Sequence, residues 1–336
     1  MAIRLKDIAD DLGVSVVTVS KVLRGKTDVG DETRRRVLER MKELNYRPNM
    51  LARGLASGRT HTVGLVVPDL VHPFFAEFAK SLASVLRVSE YALILASSEE
   101  APEIEQQEIR TLALRGVDVL LLASCRTGLR RPAEVSDGEV PCLLVDRNLP
   151  RTGLPYVGSD DVRAGELAAE HLIAIGRKRI AHIGGQDTSP SVDRAHGFAN
   201  ALAKHKLKAP ASYIVRNERV EESGDAVGFR AAQKLLGLRS RPDAIFCYND
   251  LTAVGAIEAV IRAGLRVPED VAIIGCGNFR YAGYLRVPLT SIDQSTVELG
   301  RIAGEMALEL SARPLASPRS VLLQPSLVVR ESTSGR

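Results

Sequence analysis

The chain has 336 residues, of which 45% are hydrophobic and 26% are charged, and it contains no Trp. This length exceeds one ordinary hydrophobic core, so two or three domains are expected. No apolar run approaches the roughly 18 residues of a membrane-spanning helix, and the N-terminus lacks the apolar stretch of a signal peptide. We therefore expect a cytoplasmic protein without a membrane partner.

The net charge of +4 is distributed unevenly along the chain. Residues 1–60 contain 13 Lys and Arg against 8 Asp and Glu, a balance of +5, so the rest of the chain is almost neutral. A small basic segment ahead of a neutral body favours a polyanionic partner for that segment. A solvated basic surface with no partner would give the same balance.

The residue types that mark enzymes and metal sites are not arranged in their usual motifs. The sequence contains no CxxC, HExxH, GxSxG, Walker A or GxGxxG pattern. The cysteines are far apart and lie in or beside apolar runs, which favours buried free thiols over disulfides or a metal site. They are Cys125, Cys142, Cys247 and Cys276. We expect no metal, no cofactor and no enzymatic activity.

The first predicted elements are two short helices joined at Gly13. Apolar residues recur at the spacing of one helical face at Leu5, Ile8, Ala9 and Leu12. The next stretch, GVSVVTVSKVLRG, is rich in β-branched residues that favour a strand by propensity. However, Val19, Val22 and Leu23 share one face of a helix that Ser15 can cap. We therefore predict a second helix here.

A third helix is predicted from Asp31 to Asn45, with inward-facing Val37, Leu38, Met41 and Leu44. Two helices joined by a tight Gly-containing turn and supported by a third form a helix-turn-helix, whose second helix enters the DNA major groove. Its outward residues suit this role: Val16 and Val17 can contact thymine methyl groups, Lys21 a guanine or a phosphate, and Thr18 and Ser20 phosphates. A purely structural three-helix module is the alternative.

The segments LKDIADDLGVSVVTVSKVLRG and DETRRRVLERMKELNYRPNMLARGLASGRTHTVGLVVPD resemble the head of the lactose-repressor (LacI/GalR) family of bacterial transcription regulators. The resemblance continues to about Arg330. It implies a helix-turn-helix domain over 1–47 and, over 48–60, a hinge that becomes helical on operator DNA, where Leu55 wedges into the minor groove. The DNA-contacting residues expected from the helical pattern and this resemblance are Leu5, Ser15, Val16, Val17, Thr18, Ser20, Lys21, Asn49, Ala52, Arg53 and Leu55.

One residue of the hinge departs from the family. Gly54 stands where the family usually has Ala or Ser. Glycine lowers helix propensity, so we expect this hinge to cost more to order.

From His61 onward, short apolar runs alternate with helical patterns in two similar halves, which predicts two doubly wound parallel sheets. The predicted fold is therefore a small all-α helix-turn-helix head followed by an α/β body with two lobes of the periplasmic-binding-protein type. The body, 61–336, is expected to bind an effector and to dimerise. Lobe one is expected over about 61–159 and 293–323, and lobe two over about 160–291 and 324–336.

Polar and aromatic residues follow many of the predicted strands. In such folds ligands bind at the carboxyl ends of the strands, so we expect these residues to converge on a cleft between the lobes. The candidate effector-binding residues are Asp69, His72, Phe74, Phe75, Asp146, Arg147, Arg194, Arg219, Asn249, Asp250, Asn278 and Gln294. Several lie in segments that match effector positions of the family, although any one of them could simply cap a strand end.

Two departures from the family bear on the effector. In DVAIIGCGNF, Gly277 and Cys276 stand where the family commonly has an aspartate and an aromatic residue, and Arg219 stands where an aromatic residue is common. The pocket thus loses a negative charge and gains a positive one. We hypothesise an effector with an anionic group, such as a sugar acid or a sugar phosphate, bound by Arg219 together with Arg194. The alternative is that Arg219 points to solvent or bridges the lobes.

Taken together, these features predict a ligand-responsive DNA-binding transcription regulator, a repressor in most of the family. A homodimer is expected on a pseudo-palindromic operator, because one small head makes too few contacts to be selective. The effector is expected to be sugar-like. The alternative is a cytoplasmic sensor that binds a small molecule without controlling a gene.

Overall fold

The computed structural model describes residues 3–23, 28–46, 59–126, 140–150, 152–216, 224–313 and 320–334. The chain divides into two compact units, Met1–Thr60 and His61–Arg336. Within the described ranges, no helix is both long enough and apolar enough to span a lipid bilayer.

The first unit contains three helices in its described part: α1 (Leu5–Leu12), α2 (Val16–Leu23) and α3 (Asp31–Glu43). Gly13 ends α1 in the left-handed conformation, with φ of 67°, and Val14 N–H then donates back to the carbonyl of Ala9 over 3.0 Å. The Ser15 hydroxyl caps α2 by accepting from Thr18 N–H at 3.0 Å. These two caps and the burial of Val19 override the strand propensity of the valines.

The core of this unit confirms most of the predicted inward positions. Buried side chains from all three helices cluster together with Val29, which precedes α3: Ile8, Ala9, Val19, Val22, Val37 and Met41. The prediction for Leu38 is wrong, because this side chain is 50% exposed. It lies about 100° around the helix from Val37, beyond the face that α1 and α2 cover. The third helix begins at Asp31 and ends at Glu43, close to the predicted bounds of about Asp31 to Asn45.

The second unit alternates strands and helices. Its first half contains β1 (Thr62–Val67), α4 (Pro73–Val88), β2 (Ala92–Ser97), α5 (Pro102–Leu114), β3 (Val119–Leu122), β4 (Cys142–Val145) and β5 (Tyr156–Ser159). The following part contains α6 (Asp161–Ala174), β6 (Ile180–Ile183), α7 (Ser189–Lys204), β7 (Ile214–Val215), α8 (Gly224–Leu236), β8 (Ala244–Cys247), α9 (Asp250–Arg262), β9 (Ala272–Cys276) and β10 (Thr290–Asp293). The last elements are α10 (Thr296–Ala312), β11 (Ser320–Leu323), β12 (Ser326–Val328) and α11 (Glu331–Ser334).

The strands form two sheets, each the centre of one lobe. The first sheet has the order β2-β1-β3-β4-β5-β11, and all its neighbouring strands are parallel. The second has the order β7-β6-β8-β9-β10-β12 and is parallel except for the pair of β10 with β12. We call the elements around these sheets lobe one and lobe two. The predicted pair of doubly wound lobes is confirmed.

Helices cover both faces of each sheet. In lobe one, Leu65 of β1 packs with α4 and α10, whereas the next residue, Val66, packs with α5 on the opposite face. In lobe two, Ile245 of β8 packs with α8 and α9, and Phe246 packs with α6 and α7. Buried on both faces, the central strands are almost continuously apolar, as expected for parallel sheets.

The chain passes between the lobes at three places. It leaves lobe one after β5, returns after β10, and crosses again between β11 and β12. Asp160, at the first crossing, caps α6 by accepting from Arg163 N–H at 3.0 Å. The other oxygen of its carboxylate accepts from Gln324 Nε2, at the third crossing, over 3.3 Å. The first and third crossing segments are therefore tied to one another.

Candidate nucleic-acid interface and interlobe cleft

The first unit presents an apolar and basic surface at the start of α2. Val16 and Val17 are 42% and 61% exposed, which is unusual for valines that serve only to fold a small domain. Lys21 Nζ lies 2.6 Å from the Asp28 carboxylate, in an ion pair open to water. Such a pair contributes little to stability, so Lys21 can exchange Asp28 for another acceptor.

The remaining predicted DNA contacts are placed as follows. Thr18 is half-buried, and its hydroxyl lies 2.9 Å from that of Ser15. Leu5 is half-buried against the helical core rather than fully presented to solvent. Ser20 is half-buried on α2, one residue before Lys21. The hinge positions Asn49, Ala52, Arg53, Gly54 and Leu55 lie outside the described residues.

The second unit contains a cavity of about 160 Å³ between the lobes, at the carboxyl ends of the strands. The structure brings together most of the candidate effector residues on its wall: Asp69, His72, Phe74, Phe75, Asp146, Arg147, Arg194, Asn249 and Gln294. They come from the segments after β1 and β4 in lobe one, after β8 and β10 in lobe two, and from α7. Parallel strands place their carboxyl ends along one edge, which is why residues so distant in sequence converge.

Aromatic side chains and an interlobe hydrogen bond form one side of the cavity. The His72 ring lies 5.7 Å from that of Phe75 and meets the Phe279 ring edge-on at 5.4 Å. Burial, together with the nearby guanidinium groups of Arg147 and Arg194, lowers the pKa of His72 to about 4. The imidazole is therefore neutral at pH 7, and its Nε2 can accept from Asn249 Nδ2, 3.2 Å away on lobe two.

The two arginines of the wall are paired with carboxylates. Arg147 contacts Glu100 with both terminal nitrogens, at 2.6 and 2.8 Å. Arg194 Nε donates to Asp161 at 2.7 Å, and its Nη1 donates to the Tyr248 carbonyl at 2.8 Å. Both guanidinium groups are buried, which makes these pairs strong determinants of the site's shape.

Asp146 has a different environment from those paired acids. Burial, reinforced by the nearby negative charge of Asp161, raises its pKa to about 7. Its backbone is left-handed, with φ of 59°, and is held by Asp146 N–H donating to the Val157 carbonyl and by the Tyr156 hydroxyl donating to the Asp146 carbonyl. The side chain faces the cavity, where hydroxyl groups of a ligand can donate to it.

Two candidate effector residues do not line this cavity, and a third is not described. Asp250, the first residue of α9, is fully buried and accepts from the Ser291 hydroxyl and from Phe279 N–H. Its neighbour Asn249 is the helix cap and occupies the cavity wall instead. Asn278 Nδ2 donates to Asp293 at 2.8 Å, and its Oδ1 accepts from Arg330 at 2.6 Å. Arg219 lies outside the described residues.

The wall also contains residues that were not among the candidates from the sequence. The most consequential are Glu100, Thr188 and Tyr248. Glu100 follows β2 just as Asp69 follows β1, so the rule that selected the other strand ends could have selected it. Tyr248 lies beneath the Arg194 guanidinium, 5.1 Å from ring centroid to Cζ, a contact that no motif indicates.

The cysteines and the metal-ligating residue types add no second centre in the described part of the chain. All four cysteines are buried free thiols, as predicted. Among the described residues, no group of His, Cys, Asp and Glu is arranged to hold a metal ion.

Two family models match the chain in the order in which its units occur. Residues 4–49 match the model described as bacterial regulatory proteins, lacI family, and residues 169–333 match that of a periplasmic binding protein-like domain. Among relatives, the chain is 34% identical to the ribose operon repressor of Haemophilus influenzae, with 98% of both chains covered.

Solved structures agree with this relationship. The transcriptional regulator CelR in its cellobiose complex matches with a TM-score of 0.73 and 29% identity, covering 98% of this chain and 99% of CelR. The lac repressor dimer bound to operator and the anti-inducer ONPF matches with a TM-score of 0.86 over 99% of each chain, and at 24% identity this likeness establishes the fold. The relatives named by these comparisons are transcription regulators and not enzymes. The chain thus belongs to the lacI family of bacterial regulatory proteins, DNA-binding transcription regulators with a helix-turn-helix head and a periplasmic-binding-like body.

Proposed function

We propose that the protein is a repressor whose affinity for operator DNA is set by a small sugar-like molecule in the interlobe cavity. The observation that carries the proposal is the convergence of strand-end residues from both lobes on one polar and aromatic cavity. Aromatic rings suit the apolar face of a sugar, while Asp146, Asn249 and Gln294 suit its hydroxyl groups. The names of relatives, a ribose operon repressor and a regulator in complex with cellobiose, support this class.

The proposed DNA-bound form is a homodimer on a pseudo-palindrome. One head offers a single short reading helix, and two heads related by a twofold axis would read two half-sites. Effector binding would change operator affinity because the ligand contacts both lobes, so it favours one arrangement of the body over another. The proposal accordingly includes a cytoplasmic protein that is associated with the nucleoid through its operator.

The test is a titration of fluorescently labelled promoter DNA from the protein's own gene neighbourhood, with and without candidate sugars. We expect binding as a dimer and a shift in affinity of about fivefold to 150-fold with the correct sugar. Lys21→Ala is the control for the reading surface, since its exposed ion pair makes it unimportant for folding. Unchanged DNA binding by Lys21→Ala, or an effector bound without any shift, would contradict the proposal.

A more specific proposal is that the effector carries an anionic group, which Arg219 binds together with Arg194. Arg194 already has Asp161 as a counter-ion, so the extra positive charge of Arg219 is what this form requires. We expect Arg219→Ala to abolish the response to a sugar acid or sugar phosphate while operator affinity without effector stays the same. The same titration measures both quantities, and a preserved response would eliminate the anionic form.

A further inference from the structure

Glu100 and Arg147 form an ion pair on the wall of the cavity, where a ligand would otherwise meet a guanidinium group. The two carboxylate oxygens face the two terminal nitrogens at 2.6 and 2.8 Å, the side-by-side geometry that gives a bidentate pair its strength. Only 8% of the Arg147 side chain and 18% of the Glu100 side chain are exposed. Water therefore screens this pair much less than a surface pair.

The backbone around Glu100 is held in a conformation that glutamate seldom adopts. Glu99 and Glu100 are both left-handed, with φ of 50° and 56°. Side chains with a Cβ disfavour this region, and Gly or Asn normally occupies it. Glu100 N–H donates to the Pro68 carbonyl at 3.1 Å, and Ala101 N–H donates to Ser98 at 2.8 Å. The turn thus fixes the carboxylate in front of Arg147.

The pair changes the charge that the cavity presents to a ligand. The second buried guanidinium, Arg194, is already matched by Asp161 at 2.7 Å. The carboxylates of Asp69 and Asp146 remain on the wall. Among the described residues, the cavity therefore offers a ligand acidic groups and no unmatched cation, despite containing two arginines.

We propose that Glu100 is a specificity-determining residue that acts as an internal counter-ion for Arg147. Its carboxylate occupies the face of the guanidinium that a carboxylate or phosphate of a ligand would use. The effector accordingly meets this part of the wall with uncharged hydroxyl groups, and any anionic group on it requires a different cation, such as Arg219. This role of Glu100 rests on the proposed effector site, but it concerns only which groups of a ligand Arg147 can bind.

The test replaces Glu100 by glycine, which removes the carboxylate, leaves room for a small anion, and suits the left-handed backbone. Glu99→Gly is the matched control, because it changes the same charge and the same backbone preference one residue away, at an exposed position. The full-length proteins are melted in acetate, in D-gluconate and in D-sorbitol, with chloride balancing the ionic strength. Sorbitol is the uncharged counterpart of gluconate.

We expect millimolar acetate or gluconate to raise the Tm of Glu100→Gly, with an apparent Kd at least about tenfold lower than for the wild type or Glu99→Gly. Sorbitol should not distinguish the three proteins. Equal responses of Glu100→Gly and Glu99→Gly to both anions would overturn the proposal. If Glu100→Gly folds only poorly, its refolding yields in acetate and in chloride are compared instead, and a higher yield in acetate is expected. Glu100→Asn, which also suits a left-handed backbone, is a second variant for the same melting experiment. Operator titrations of the wild type report the proposed function separately.

Discussion

The pKa values of two ionisable groups on the cavity wall, Asp146 and His72, are shifted in the direction that keeps each group uncharged. Burial raises the pKa of Asp146 to about 7 and lowers that of His72 to about 4. A carboxyl group and an imidazole can therefore both be neutral in the cavity at mildly acidic pH. This arrangement suits a site that exchanges hydrogen bonds with an uncharged polar ligand, because neither group then requires a counter-ion.

The opposite shifts predict opposite effects on stability. Asp146 binds its proton more tightly in the folded than in the unfolded state. Its contribution to the free energy of unfolding is therefore greatest below about pH 4 and is lost as the pH rises through 7. His72 binds its proton less tightly in the folded state, so its contribution to the free energy of unfolding is present above about pH 6.5 and is lost as the pH falls through 4.

Urea unfolding between pH 4 and 8 measures both contributions without any ligand. We expect the stability of the wild type relative to Asp146→Asn to fall with rising pH, and its stability relative to His72→Gln to rise between pH 4 and 6.5. Identical pH profiles for the wild type and both variants would mean that neither group is desolvated in the folded protein.

At the scale of elements, α6 and α7 approach so closely that only glycine fits between them. A Cβ on Gly165 of α6 would lie 2.0 Å from the Arg194 carbonyl oxygen in α7, and a Cβ on Gly197 of α7 would lie 1.9 Å from the Val162 carbonyl oxygen. The same two helices hold Asp161 and Arg194, which pair across their contact. The spacing of α6 and α7 therefore determines the position of Arg194 in the cavity.

We expect Gly165→Ala to push α6 and α7 apart, to destabilise lobe two by about 1–3 kcal/mol, and to weaken effector binding through Arg194. The measurements are urea unfolding and calorimetric titration with the effector found in the operator assay. Gly237→Ala is the control, because its Cβ would meet no atom closer than 3.6 Å. If the two alanine variants are equally stable, the close helix contact does not constrain the site.

The elements themselves were largely predictable from the sequence, whereas side-chain directions were not. Gly13 and Ser15 mark the turn of the head, and continuous apolar runs mark the buried strands, because caps and periodicity are local properties. The rule that ligands meet strand ends does not distinguish Asn249, on the cavity wall, from Asp250, which turns inward to Ser291. Glu100 follows β2 and so lies at a strand end like the others, but its pairing with Arg147 depends on a left-handed backbone that the sequence does not reveal.

For the whole molecule, the hydrogen bond between His72 and Asn249 is a direct link between the lobes at the cavity. Asn249 has a second role, because its side-chain oxygen caps α9 by accepting from Thr252 N–H at 2.9 Å. Phe279, from lobe two, extends the contact by packing into the hydrophobic core of lobe one. The relative position of the lobes is thus sensitive to groups that a ligand also touches.

Asn249→Ser separates these two roles, since serine can cap a helix but is too short to reach His72. We expect the variant to keep α9 and to have a larger radius of gyration in solution scattering. We also expect it to bind the effector about tenfold more weakly, because this is the typical effect of losing one hydrogen bond at a buried site. Asn249→Ala should in addition lose stability, because the cap is removed. An unchanged radius and affinity for Asn249→Ser would show that the lobes do not depend on this link.

The last strands of the chain also have a consequence for how the protein is made. β11 completes the edge of the first sheet beside β5, and β12 completes the second beside β10. During translation, the edges of both sheets, at β5 and β10, therefore stay unpaired until residues 320–328 have been made. Unpaired strand edges are prone to pair with other chains. A ribosome that stops shortly before residue 320 would release two incomplete lobes together, so we expect truncated products to aggregate rather than to compete with the full-length protein for DNA.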